Sequence, residues 1–146
     1  MKDGFAYTPA GRVHYLEAGN GEPLLLMHTN GSSAYQYEDC FGQLAQRFRV
    51  VAWDMPGHGD SDPLRGHTPI ETYSDTAVAL LDALGIAKAH VAGGSVGGVI
   101  AIDLAARHAS RLLQWRSARP KPRVPVADYL RRASRSRPAC AASDCG

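Results

Sequence analysis

The stretch Ala89-His90-Val91-Ala92-Gly93-Gly94-Ser95-Val96-Gly97-Gly98-Val99-Ile100 restricts the fold of this chain more than any other, because a short apolar run breaks into glycines around one serine and then resumes. Read physically, it is a buried strand, a sharp turn and the start of a helix. Gly93 and Gly97 stand two residues either side of Ser95 in the pattern Gly-x-Ser-x-Gly. Glycine belongs there because a strand that turns straight into a helix brings two backbones too close for β-carbons. The serine is left at the tip with its hydroxyl exposed at the helix N-terminus, where unpaired N–H groups and the helix dipole favour negative charge. An attacking alkoxide and the oxyanion it creates both need that environment.

The residues before this stretch carry a doubly wound pattern. Residues 5–8 and 12–17 read as a hairpin around Pro9-Ala10-Gly11, with Val13 and Tyr15 alternating with polar neighbours. Leu24-Leu25-Leu26-Met27 and Val50-Val51-Ala52-Trp53 are continuous apolar runs, the mark of strands covered on both faces of a parallel sheet. Between them Tyr37, Phe41, Leu44 and Phe48 recur at helical spacing and predict a helix over 34–48.

Thr68-Pro69-Ile70-Glu71 reads as a capping box with proline at the first helical position. It opens a helix with Ile70, Tyr73, Ala77, Leu80, Leu81 and Leu84 on its apolar face, and Gly85 stops it. The helix from Ser95 to about residue 112 is apolar nearly all round, interrupted by Asp103, and is expected to lie buried against a sheet. Strands separated by helices at this spacing give an α/β fold, a doubly wound, mostly parallel sheet with an antiparallel start. In such sheets ligands bind beyond the carboxyl ends of the strands, where the loops after Met27 and Trp53 and the Ser95 turn gather.

Charge divides the 146-residue chain. Residues 1–113 carry 8 Lys and Arg against 12 Asp and Glu, and residues 114–146 carry 8 against 2. The first part is read as the folded domain. The second, rich in Arg, Ala, Ser and Pro, is read as a tail that is disordered or encoded by a shifted frame of GC-rich DNA, with 126–132 as its one candidate helix. Its arginines suit anionic polymers, but beyond Trp115 and Tyr129 there is no aromatic interleaving, so nucleic acid is not the favoured partner. The apolar runs are far short of a membrane span and Met1-Lys2-Asp3-Gly4 does not open a secretory signal, so a cytoplasmic protein without membrane contact is expected. Cys40, Cys140 and Cys145 show no metal-ligand spacing and do not pair evenly, so neither a metal site nor a disulfide framework is expected.

Three segments resemble the α/β-hydrolase family in order and spacing: His28-Thr29-Asn30-Gly31, Asp54-Met55-Pro56-Gly57-His58-Gly59-Asp60-Ser61, and Gly93-Gly94-Ser95-Val96-Gly97-Gly98. The resemblance covers roughly residues 5–112. It implies that Ser95 is a nucleophile and that the backbone N–H groups of Val96 and Asn30 form an oxyanion hole, with Gly93 and Gly97 shaping the elbow. It also implies a structural role for His28, and a serine at this place argues against relatives that use aspartate, such as haloalkane dehalogenases. The implied substrate is a small molecule with a carbonyl group, leaving esterases, lactonases and carbon–carbon bond hydrolases open; no metal or organic cofactor is implied.

In the family the triad follows the chain order Ser, then Asp or Glu, then His. No histidine follows His108 here, and no strand is read beyond residue 112, so the sheet is expected to stop after about five strands. Asp54 and Asp62 read as turn formers, and His28 and His58 are not favoured as substitute bases. The chain is therefore expected to be inactive or nearly so, with the elbow strand over 90–93 left as an unpaired edge that promotes self-association. Two other classes stay open: a non-catalytic binding module that retains the pocket floor, and a binder of anionic polymer through the tail.

Overall fold

The computed structural model describes residues 1–64, 66 and 68–117. Six strands form one sheet: β1 (Lys2–Thr8), β2 (Gly11–Ala18), β3 (Glu22–Met27), β4 (Phe48–Trp53), β5 (Ala89–Gly93) and β6 (Leu112–Ser117). Their spatial order is β1-β2-β4-β3-β5-β6. The β1/β2 and β2/β4 pairs are antiparallel and the β3/β4, β3/β5 and β5/β6 pairs are parallel, as expected of an antiparallel start to a parallel sheet. Met27 is in register with Trp53 on one side and Gly93 on the other, so the loops after β3, β4 and β5 leave the sheet at one level.

Helices α1 (Glu38–Ala45), α2 (Ile70–Ala83) and α3 (Val96–Arg107) cover the two faces. The side-chain period of two sorts the Leu24-Leu25-Leu26-Met27 run between them. Leu25 and Met27 join Val51, Trp53 and Val91 against Leu80 and Leu81 of α2 and Ile100 and Leu104 of α3. Leu24 and Leu26 join Leu16, Val50 and Ala52 against Ala34 and Phe41 on the α1 side.

Four expectations need correction. The helix over 34–48 is a 3-10 turn, Ala34–Tyr37, followed by the shorter α1. Its last turn is closed by the Arg47 N–H donating to Leu44 O at 3.0 Å, and Phe48 becomes the first residue of β4, in register with Glu22. Gly19 and Gly21 fix this boundary: a β-carbon would lie 2.0 Å from Phe48 O at Gly19, and 1.9 Å from Arg47 O at Gly21.

Second, the capping box at Thr68 does not form. Pro69 is the N-cap and no side chain caps α2, because Thr68 then lies one position too early for its hydroxyl to reach the third helical N–H. The other end matches expectation, since Gly85 takes φ +67° and its N–H donates to Asp82 O at 3.0 Å, while the Ile86 N–H donates to Leu81 O at 2.8 Å. That pair of bonds is a Schellman motif.

Third, α3 ends at Arg107 rather than near residue 112, and Val99 on its surface is 43% exposed. Asp103, the polar residue within this apolar helix, accepts from Arg107 Nε at 2.9 Å and from the Ser74 hydroxyl, joining α3 to α2.

Fourth, the sheet does not stop at the elbow strand. After a 3-10 turn, Ala109–Arg111, the chain enters β6, which pairs with β5 from Ala89 to Gly93. The elbow strand is thus flanked on both sides, and among the described residues β1 and β6 are the outer strands. The signal was weak because alternation in this segment runs only over Leu113-Gln114-Trp115-Arg116, and the strand crosses the expected domain boundary at 113/114. The tail from residue 118, with its candidate helix over 126–132, Cys140 and Cys145, lies outside the described residues, as does His67. No helix of the described residues is long and apolar enough to cross a membrane.

Candidate active site

Ser95 stands between β5 and α3 with φ 53° and ψ −122°, and it is the one non-glycine residue at positive φ among the described residues. That conformation costs an L-residue of order 1–3 kcal/mol and persists only where the surroundings enforce it. Here they do so through close backbone approach. A β-carbon on Gly97 would lie 2.3 Å from Met27 O and 2.7 Å from His28 O, and one on Gly93 would lie 2.6 Å from the Gly97 carbonyl carbon. The two glycines flanking Ser95 are where the sequence pattern requires them, and the start of α3 is pressed against the chain leaving β3.

Ser95 is exposed, and its hydroxyl makes no cap bond to α3. Val96 is the first residue of the helix, so its N–H has no partner within the helix and points out of the positive end of the dipole. The loop after β3 passes beside this terminus. Asn30, on that loop, is exposed, and its Oδ1 lies 3.1 Å from His58 Nε2.

His28 is fully buried at the start of the same loop. Its Nδ1–H donates to Thr29 O at 2.7 Å and its Nε2 accepts the Met55 N–H at 2.9 Å, which fixes the neutral tautomer with the proton on Nδ1. Burial pushes its pKa below the ordinary histidine value, against a smaller opposing effect of the Thr29 carbonyl. His28 therefore ties the loop after β3 to the loop after β4. Tyr37 of the 3-10 turn is tied to the end of β3 through its hydroxyl, which donates to Met27 O at 2.6 Å; burial raises that phenol to about 12, so it stays a donor.

Sequence reasoning missed the role of Asp54. It is a fully buried hub rather than a turn former: Oδ1 accepts the Ala34 N–H at 2.6 Å, and Oδ2 accepts the Asp60 N–H at 2.9 Å and faces His14 Nδ1 at 2.8 Å. A β-carbon on Gly59 would lie 2.0 Å from that same Oδ2. The buried partner of Asp54, His14, also reaches Asp3 Oδ1 at 3.0 Å. The legible signal was an aspartate closing an apolar strand immediately before a glycine-rich turn. His14, Asp54 and Asp60 bring their potential ligand atoms within 4.8 Å of one another, but both Asp54 oxygens are already taken by backbone N–H groups and His14. The cluster is satisfied as a hydrogen-bond hub.

The other described histidines are also engaged away from Ser95: His90 with Glu22 at 3.1 Å and His108 with Asp75 at 2.8 Å. Among the described residues none brings a ring nitrogen to the Ser95 hydroxyl. A cavity of about 280 Å³ opens on the α1 side, lined by Leu16, Ala34, Tyr35 and Phe41 among others, and Ser95 is not part of it.

Comparison with known proteins follows the same segments. The family described as alpha/beta hydrolase fold matches residues 22–114. The chain is 39% identical over 95 residues to a dihydrolipoyllysine-residue acetyltransferase component of the acetoin cleaving system of Pseudomonas putida, covering 64% of this chain and 26% of that protein. It is 33% identical over 88 residues to the (E)-2-((N-methylformamido)methylene)succinate hydrolase of Acinetobacter baylyi, covering 60% of this chain and 34% of the hydrolase. Among solved structures, the enol-lactonase of Burkholderia xenovorans LB400 superposes with a TM-score of 0.74 at 31% identity, covering 77% of this chain and 45% of the lactonase. The chain thus spans less than half the length of each of these relatives.

Proposed function

Because the chain belongs to the alpha/beta hydrolase fold family, we propose that it presents the nucleophile and oxyanion side of a serine hydrolase site for a small molecule with a carbonyl group. The observation that carries this reading is the strained backbone of Ser95, held exposed at the N-terminus of α3 by glycines that admit no β-carbon. A strained, exposed serine at a helix N-terminus is costly to build and chemically useful. Ser95 Oγ would attack the carbonyl carbon, and the N–H groups of Val96 and Asn30 would receive the negative oxygen. The reaction class is acyl transfer to water, from an ester, a lactone or an activated carbon–carbon bond.

A serine hydroxyl needs a proton acceptor to attack at neutral pH. Among the described residues no histidine hydrogen-bonds the Ser95 hydroxyl, each having other partners, so this 146-residue chain is proposed to acylate slowly and to turn over little or not at all. That observation also favours a second reading, a binding module that keeps the pocket floor without catalysis.

Incubation with p-nitrophenyl acetate separates the two. Slow acetylation of residue 95, seen by mass spectrometry and abolished by Ser95→Ala, supports the nucleophile; no adduct under forcing conditions leaves the binding module. Rapid multiple turnover would overturn the proposal, which finds no base for Ser95 among the described residues.

A further inference from the structure

We propose that His58 is a positioning residue for the loop after β3, holding Asn30 so that the Asn30 backbone N–H keeps the direction an oxyanion donor needs. This rests on the role proposed above for Asn30. The loop is unevenly held. At its start Thr29 is fixed three ways: its carbonyl by His28, and its N–H and hydroxyl by Gln36 Oε1, both at 2.9 Å. Beyond Thr29 the restraints thin out. Gly31 has φ +73° with nothing within 4 Å of a β-carbon position, and the backbone contributes one turn bond, from the Ser32 N–H to Thr29 O at 3.2 Å. Among the described residues the side-chain tie on this open part is the Asn30 Oδ1 to His58 Nε2 contact at 3.1 Å.

His58 is built to serve as a fixed post. Its own N–H donates to Met55 O at 2.8 Å, its carbonyl accepts the Ser61 N–H at 3.1 Å, and the Gly57 N–H beside it donates to Asp62 O at 3.0 Å. The turn is anchored further by Asp54, which accepts the Asp60 N–H, and by the Ser61 hydroxyl donating to Asp54 O at 2.7 Å. The His58 ring meets the buried His28 ring edge-on at 5.1 Å between centroids. An amide oxygen only accepts, so Nε2 carries the hydrogen in this shorter contact while Nδ1 stands 3.4 Å from Pro56 O, and the bond runs from a rigid turn to a loosely held one. A donor side chain should keep this clamp, and a flat ring without a donor should lose it.

Backbone 15N relaxation on the full chain tests this. In the wild type and in His58→Gln, the order parameters of Asn30 and Gly31 are expected near the rigid value of about 0.85, and in His58→Phe they are expected to fall toward about 0.6. If His58→Phe stays rigid, or His58→Gln loosens as much as His58→Phe, the clamp is refuted, the latter because ring packing would then be what matters. Should His58→Phe fail to fold, Asn30→Ala removes the same bond from an exposed position, and Gly31 must loosen. Labelling of Ser95 by a fluorophosphonate gives the functional arm: His58→Phe is expected to slow it about tenfold, less than outright loss of a donor, and His58→Gln to leave it within about twofold. Absence of labelling in every version would defeat the reading of Ser95 while the relaxation contrast still decides the clamp.

Discussion

Gly97 lies so close to Met27 that a β-carbon on the glycine would sit 2.3 Å from the Met27 carbonyl oxygen. The first turn of α3 is therefore locked against the end of β3, and Ser95 is placed by that contact and by its carbonyl accepting the Val99 N–H at 3.2 Å, not by a cap bond of its hydroxyl. Gly97→Ala must push two backbones apart. It is expected to destabilise the fold by about 2 kcal/mol or more, the upper range for overpacking a closed site, measured by urea unfolding. Gly31→Ala meets no atom within 4 Å and should cost only the strain of its positive φ.

Ser95→Gly relieves the positive φ of that residue. Strain relief of about 1–3 kcal/mol, set against the roughly 0.5–1 kcal/mol entropic cost of glycine, predicts a variant about 1 kcal/mol more stable than the wild type that cannot be acylated at position 95. A Ser95→Gly protein less stable than the wild type would show that the elbow is not strained.

Asp54 joins the 3-10 turn before α1, the turn after β4 and His14 of β2 within the interior. Asp54→Ala leaves the buried Ala34 N–H, the part-buried Asp60 N–H and His14 without their acceptor. The expected loss is about 3–5 kcal/mol, comparable to breaking a buried ion pair by removing one member. Asp62→Ala, at a partly exposed carboxylate that pairs with Arg12, should cost less than about 1 kcal/mol.

His28 gives a pH signature. Burial lowers its pKa in the folded chain, so between that lowered value and the ordinary value of 6.5 the unfolded chain binds the proton and the folded chain does not. The stabilisation is present above the unfolded pKa and is lost as pH falls from about 6.5 toward the folded value. Urea midpoints at pH 7.5 and 5.5 should differ more for the wild type than for His28→Gln, which does not titrate. Equal differences would place the pH dependence elsewhere.

Much of this arrangement was legible in the sequence because local pattern and tertiary demand agree. The run Leu24-Leu25-Leu26-Met27 announces a strand covered on both faces, and the glycines around Ser95 announce a close approach; a β-carbon at Gly93 or Gly97 would lie within 2.6 Å of backbone atoms. The failures occur where a partner far along the chain decides. Phe48 fits a helical period but is drawn into β4 by Glu22, and Leu112 continues an apolar helix but pairs with Ala89 instead. Asp54 and His14, forty residues apart, carry no mutual signal until the fold brings them to 2.8 Å.

Fluorophosphonate labelling of the 146-residue chain, followed across pH with the adduct located by tandem mass spectrometry, tests the central claim most directly. The account predicts a slow adduct at Ser95, absent from Ser95→Ala, at a rate that rises with hydroxide and shows no plateau between pH 6 and 8, as a hydroxyl held at an oxyanion site without a histidine base requires. No adduct at Ser95 even in alkaline solution, or fast labelling with a neutral midpoint, would contradict it.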